Sequence, residues 1–326
     1  MTASQLKPEI RPQLACDFEQ DKLKFPVIVS PKIDGVRGIN LDGNLTGRSL
    51  KAFKNGFVTR RFSGPQFMGF DGELALGNWT SATLCSDTTG FVTRKSPKPG
   101  KPTESEELVW YIFDYLADEV IGLPYAERIA AAQAKVGQMQ EFPASISVVP
   151  YKLAHSTEEL LAFEQLCLDD GFEGVIIRDP NGKHKSGRAT VKGGSYLRIK
   201  RFIDFEFTID GFDEAQENLN EAKVNELGYT ERSSHKENKI GKGMVGCIHG
   251  TLLEDVVFEG KVLNGMGKGT PVDVSPGALT HGERIAIFND PTGFIGAIGK
   301  GKMFPKGHKD KPRFPQFQTV RAKEDM

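Results

Sequence analysis

Beyond Arg201 the chain becomes a series of short apolar runs, residues 202–209, 246–253, 256–263, 284–288 and 294–298, parted by glycine and polar turns. Five candidate strands within roughly 120 residues suit a small barrel. The first part of the chain has a different texture. Apolar runs at 25–29, 38–41, 67–76 and 108–116 read as strands, and the turn residues Asp42, Gly43 and Asn44 follow the second. Pro124 opens a segment of strong helix formers through Ala134. Ser156 with Glu159 reads as a capping box, followed by Leu160, Phe163 and Cys167 on one face and by Gly171 as the stop. The β-branched run Gly174 to Arg178 comes directly after.

Strands and helices therefore mix without regular alternation, which predicts an α+β class rather than a doubly wound parallel sheet. The change of texture places a boundary at 203/204, dividing the chain into 1–203 and 204–326. An OB-fold, an architecture that commonly binds nucleic acid, is the natural reading of the second part. Residues 77–105, rich in Gly, Ser, Thr, Pro and Lys, are expected to form a long surface loop, and the acidic insert 213–238 a mobile one.

The overall charge is −1, with 26% charged and 38% hydrophobic residues, as in ordinary globular proteins. The charges are segregated. Lys183 to Arg201 holds seven Lys or Arg and no acid, residues 300–311 are basic apart from Asp310, and the acids gather at 104–107 and 213–226. Such a layout provides a basic track for a polyanion: Lys183, Lys185, Arg188 and Lys192 in the first part, and Lys300, Lys302, Lys306, Lys309 and Lys311 in the second. Cys16, Cys85, Cys167 and Cys247 show neither disulfide nor zinc-knuckle spacing and are expected to be small core residues. No run approaches the ~20 apolar residues of a membrane span, and residues 1–20 lack a secretory pattern, so a cytoplasmic protein is expected.

No Gly-x-x-x-x-Gly-Lys-Ser/Thr loop is present, and Gly241, Gly243 and Gly246 follow a charged stretch instead of a strand, so neither a P-loop nor a dinucleotide fingerprint is supported. The sharper constellation is Lys32-Ile33-Asp34-Gly35-Val36-Arg37 at the mouth of a buried strand. A lysine is a nucleophile only when neutral, so such a role predicts a depressed pKa at Lys32. The other reading of this stretch is a surface lysine before a turn formed by Asp34.

Downstream, in order, come Thr46-Gly47-Arg48, Asp71-Gly72-Glu73, Phe113-Asp114-Tyr115, Glu173-Gly174-Val175-Ile176-Ile177-Arg178 and Arg198-Ile199-Lys200. With the Lys32 block these six resemble the motifs of the covalent nucleotidyltransferases, the superfamily of ligases and messenger-RNA capping enzymes. The ending Arg313-Phe314-Pro315-Gln316-Phe317 through Arg321, Glu324 and Asp325 is similar to that of the short bacteriophage ATP-dependent DNA ligases.

The resemblance implies an antiparallel-sheet, ATP-grasp-like nucleotidyltransferase domain followed by an OB-fold barrel, acting as a monomer on nicked duplex DNA in replication, repair or recombination, in the host cytoplasm if the source is viral. It makes Lys32 the residue that takes AMP from ATP, with Asp34 completing the motif and Ser30, Pro31 and Ile33 beside it. Arg37 and Arg48 are implied to approach phosphate or ribose, Glu73 the ribose, and Phe113 the adenine face. Glu173 is implied to bind Mg2+ (or Mn2+), and Arg198 and Lys200 the triphosphate; the family more often has Lys where Arg198 stands. Lys192 is expected as a further phosphate contact. A GTP-dependent capping enzyme, an RNA ligase and a non-catalytic OB-fold DNA-binding protein are the rival readings.

Overall fold

A computed structural model describes residues 10–139, 145–258, 260–305 and 313–321. The chain divides into two compact units, Met1–Lys200 and Arg201–Met326. The expected boundary at 203/204 falls just beyond that division, at the start of the strand Ile203–Asn218.

The first unit contains two five-stranded sheets. One runs in the order Cys16–Asp17, Tyr196–Lys200, Gly174–Arg178, Val27–Pro31 and Lys152–Ala154. The other runs Leu45–Gly47, Val36–Asn40, Phe70–Leu76, Leu108–Tyr115 and Ile146–Val148. Interior ladders are antiparallel, as expected, but the short edge strands Cys16–Asp17 and Ile146–Val148 pair in parallel, so both sheets are mixed.

Val27–Pro31 is buried along its whole length, which its unbroken apolar and small-residue sequence permits. The chain then leaves the first sheet at Lys32 and joins the second at Val36. Gly35 makes this passage possible, because a Cβ there would strike the Leu74 carbonyl oxygen. Gly174, at φ +147, faces the Ile199 carbonyl just as closely. Backbone bonds fasten the two motif ends together: Lys32 N–H donates to Gly174 O at 2.9 Å, and Glu173 N–H donates to Lys32 O at 3.3 Å.

Trp110, Phe62, Phe67 and Phe70 dominate the core beneath the second sheet, and Val29, Val175, Ile177, Leu160 and Cys167 pack beneath the first. Each such fully buried side chain contributes roughly 1.5–3 kcal/mol. The helix Thr157–Asp169 is capped by Ser156, whose Oγ accepts from Glu159 N–H at 3.3 Å. The returning bond differs from the expected box, since the Glu159 carboxylate accepts from His155 N–H at 2.8 Å. The expected loop 77–105 is interrupted by a helix, Leu84–Val92. Its composition hides a spacing of Leu84, Thr88, Phe91 and Val92, four buried residues on one face.

The second unit is a five-stranded antiparallel sheet ordered Pro271–Val274, Lys239–Leu252, Ile203–Asn218, Ile298–Phe304 and Arg313–Val320. Phe205, Phe207, Ile209, Val245, Ile248, Met303 and Phe317 form its core. Beyond the first of these strands, Ser275 makes a parallel bridge to Gln316 in the last. Ser275 N–H donates to Pro315 O at 2.9 Å, and Phe317 N–H donates to Ser275 O at 3.0 Å.

Three local expectations fail in this unit. Residues 284–288 belong to a helix, His281–Asn289, nucleated by a capping box in which Thr280 and Glu283 satisfy each other's backbone N–H. The short run Arg284-Ile285-Ala286-Ile287-Phe288 could not by itself decide between strand and helix. Residues 294–298 turn before the strand Ile298–Phe304, and 256–263 holds only the two-residue pair Val257–Phe258 and Lys261–Val262. The acidic insert contains paired strands. Asp213–Asn218 continues the ladder against Lys239–Cys247, and Ala222–Val224 pairs with Thr230–Arg232. Among the described residues no helix is long and apolar enough to cross a membrane.

Candidate active site

The two sheets of the first unit enclose a cleft of about 420 Å3, a volume within the range of small-molecule sites. Ser30, Pro31, Lys32 and Ile33 form one wall as the chain leaves the first sheet. Arg37, Glu73 and Phe113 come from the second sheet, Arg198 from the first, and Arg48 from the turn after Leu45–Gly47. Nine of the thirteen expected site residues therefore line one cavity.

Glu173 and Lys200 join this group through Lys32. Lys32 Nζ donates to Glu173 Oε2 at 2.5 Å, and Lys200 Nζ donates to Glu173 Oε1. Burial opposes the Lys32 ammonium, but Glu173, with Glu73 and Asp34 nearby, outweighs it and raises the pKa. Burial and the charge of Lys32 lower that of Lys200. Burial also opposes ionisation of Glu173, yet the two lysines hold its carboxyl at about 2. The expectation of a depressed pKa at Lys32 is thus corrected. The resting side chain is an ion-paired ammonium, because the buried Glu173 carboxylate accepts directly from it.

Arg37 reaches the cleft with its hydrogen-bonding edges already engaged. Nε donates to Asp71 Oδ1 at 2.8 Å, Nη2 donates to Asp71 Oδ2, and Nη1 donates to the Gln13 carbonyl at 2.6 Å. The guanidinium lies 5.2 Å from the centre of the Phe113 ring, fixing one side of that ring. Asp34 does not line the cleft. Lys192 is exposed in the turn before Gly193, and Arg188, which donates to Ala15 O at 2.9 Å, stands in the cleft wall instead. Arg198 Nε donates to Asp17 Oδ1 at 2.7 Å.

Behind the cleft lies a buried ionic network to which sequence reasoning assigned no role. Asp114 accepts from Arg128 Nε and Nη2 at 2.8 and 3.0 Å, and from Arg178 Nη2 at 2.9 Å. Arg178 also donates to Gln13 Oε1 at 3.0 Å and lies 3.7 Å from the Tyr196 ring centre. This network fixes Tyr125, Tyr196 and Arg178, which line the cleft floor. A signal existed for Arg128, a charge set among Tyr125, Ile129 and Ala132 on the buried face of the helix Tyr125–Gly137.

The expected basic track is partly described. Lys183, Lys185, Arg188 and Lys192 are exposed. Lys300 pairs with Asp204 at 2.9 Å, and Lys302 lies 4.7 Å from the Phe202 ring centre. Lys306, Lys309, Lys311, Glu324 and Asp325 lie outside the described residues.

No family model matches the chain. Over 107 residues, 33% of this chain, it is 24% identical to the DNA ligase of African swine fever virus (strain Badajoz 1971 Vero-adapted). That match spans 25% of the viral protein's length. A solved Lig E DNA ligase covers 97% of this chain and 100% of its own, with TM-score 0.63 and 19% identity. The chain has the DNA ligase fold. The Chlorella virus DNA ligase-adenylate aligns over 96% of this chain and 100% of its own at 24% identity, with a TM-score of 0.49 that adds nothing to the fold assignment.

Within this ligase fold Glu73 has a measurable signature. Burial pushes its carboxyl up to about 8, against the pull of Lys32 and Arg37. The folded state then holds a proton that the unfolded chain, with a Glu pKa of about 4.3, releases earlier. The resulting stabilisation is complete below the unfolded value and fades as pH rises through the folded one. Glu73→Gln cannot titrate, so its melting temperature relative to wild type should climb between about pH 5 and pH 8.5. A difference that stays flat across that range removes the raised carboxyl.

Proposed function

We propose that this chain is an ATP-dependent DNA ligase that seals nicks in duplex DNA through a lysyl-AMP intermediate on Lys32 and a DNA-adenylate. The observation that carries this reading is the convergence of Lys32, Glu173 and Lys200, distant in sequence, at one cleft walled by Glu73, Phe113, Arg48 and Arg198. In the first step Lys32 Nζ bonds to the α-phosphorus of ATP, pyrophosphate leaves, and the amine gives up its proton. AMP then passes to the 5′-phosphate at a nick. Attack by the adjacent 3′-hydroxyl forms the phosphodiester and releases AMP.

Phe113, braced by Arg37, offers a flat face for adenine, and Glu73 an acceptor or donor for the ribose. Arg198 and Lys200 supply positive charge for the phosphates. Arg48 is the exposed cation of the opposite wall, and Arg188 serves the phosphate role expected of Lys192. Glu173 fits a hard divalent ion such as Mg2+ or Mn2+, since both its oxygens already face positive charge; the bound ion would neutralise charge on the transferring phosphate. Lys32 can attack only when the Glu173 carboxylate no longer holds its proton in place.

The unit following residue 203 acts as an OB-fold barrel that grips DNA. The bridge from Ser275 to Gln316, which links the two outer strands of its sheet, supports closure. Its Lys300 and Lys302, with the exposed Lys183, Lys185 and Arg188, are the phosphate contacts, and binding weakens steeply with salt. The enzyme works as a cytoplasmic monomer in replication, repair or recombination.

Incubation with ATP labelled at the α-phosphate, and separately with GTP, tests this reading after denaturation. Label should remain on the protein with ATP alone, and nicked DNA should discharge it while nicked RNA should not. Labelling by GTP alone would point to capping chemistry, and no labelling by either nucleotide would end the covalent reading.

A further inference from the structure

A second cluster of metal-binding side chains lies in the second unit, on three neighbouring strands. Cys247 and His249 alternate along Lys239–Leu252 and so project from the same face. Asp273 stands directly opposite His249 on Pro271–Val274, and Asp213 directly opposite Cys247 on Ile203–Asn218. Pairing therefore forces four polar side chains together, whereas Ile248 between them points into the core.

The distances sort these side chains into two roles. The ligand atoms of Cys247, His249 and Asp273 all lie within 4.8 Å of one another. His249 Nδ1 is 2.8 Å from Asp273 Oδ1. The other ring nitrogen, Nε2, is 3.1 Å from Asp213 Oδ2. A carboxylate on the far nitrogen is the arrangement that fixes the tautomer and orientation of a metal-binding histidine. It leaves Nδ1 to present its lone pair beside the Asp273 oxygen, within a cluster whose ligand atoms, the Cys247 sulfur included, lie within 4.8 Å of one another.

We propose that Cys247, His249 and Asp273 bind one zinc-class divalent ion, with Asp213 as the positioning residue for the His249 ring. Sulfur, imidazole and carboxylate together select zinc or cobalt over magnesium or calcium, which prefer oxygen alone. Binding releases the thiol proton and the proton between His249 and Asp273, and water completes the tetrahedron. The ion links two strands, Lys239–Leu252 and Pro271–Val274, and through Asp213 touches the third, where the ladder breaks register between Ile209 and Gly211 and between Asp213 and Glu214. This site shares no residue with the Glu173 cluster and does not depend on the ligase reading.

Cobalt is the probe, added to the full chain after chelator treatment and dialysis. A thiolate-to-cobalt charge-transfer band should grow to saturation at one equivalent, and zinc should abolish it. Cys247→Ser should lose the band, while Cys85→Ser and Glu173→Ala keep it, which separates the site from other thiols and from the cleft. Asp213→Asn should keep the stoichiometry and bind roughly 10–100-fold more weakly. Zinc should also raise the melting temperature of the wild type and leave that of a folded Cys247→Ser protein unmoved. A wild type without the band, or a band that survives in Cys247→Ser, would show the cluster to be a hydrogen-bonded histidine and nothing more.

Discussion

Replacement of Lys32 by Ala should cut transfer of AMP onto the protein by at least about 10^4-fold, the scale seen when an enzyme's nucleophile is removed. Lys200 should not substitute for it, because its Nζ approaches the opposite oxygen of Glu173. Lys32→Arg is the sharper variant. A guanidinium preserves the ion pair with Glu173 but remains protonated at any working pH, so it should retain the wild-type melting temperature and lose the label. The final step needs no free amine, and both variants should still join a nick supplied already adenylated. Retention of label in Lys32→Arg would transfer the chemistry to another residue.

Asp114→Ala should be the most destabilising single change, at about 3–5 kcal/mol, the usual cost of removing one partner from a buried ion pair. Asp114 is about 1% exposed and is the shared acceptor of Arg128 and Arg178, so its loss strands two guanidinium groups away from water. Urea unfolding should show a lower midpoint with an unchanged slope. The carboxyl also has a pH signature. Burial alone would raise its pKa, but Arg178 and Arg128 together hold it below the usual carboxylate range. Its stabilisation is therefore complete above the unfolded value of about 3.9 and is lost as pH falls through the folded one. A midpoint shift worth less than about 1 kcal/mol in Asp114→Ala would show that water or neighbouring acids compensate the arginines.

The two predictions differ in how far the sequence foreshadows them. Lys32 is conspicuous because charge, turn glycine and a buried strand meet within a few residues. Its protonation is not legible, since it depends on a glutamate 141 residues downstream. Asp114 is part of a visible block, yet its partners lie 14 and 64 residues away, and nothing local announces their meeting. Strands such as Gly174–Arg178 follow from unbroken β-branched runs. The helix Leu84–Val92 is concealed by its Ser, Thr and Gly content, and His281–Asn289 by β-branched residues that suit either state. The Cys247 cluster escapes for another reason: the spacing of Cys247 and His249 is local, but Asp213 and Asp273 arrive only through strand pairing. The structure also puts Arg188, and not Lys192, in the cleft wall, a placement that a glycine-rich stretch of uncertain register could not settle.

The crossing from one sheet to the other between Lys32 and Val36 works as a phase setting. Side chains on a strand alternate, so adding or deleting one residue in that interval would exchange the positions of Val36 and Arg37. Valine would then face Asp71, and the guanidinium would be driven into the apolar layer around Trp110, against which Val36 now packs. Substitutions along this hexapeptide can be graded by chemistry, whereas any change in its length should leave no folded cleft to assay.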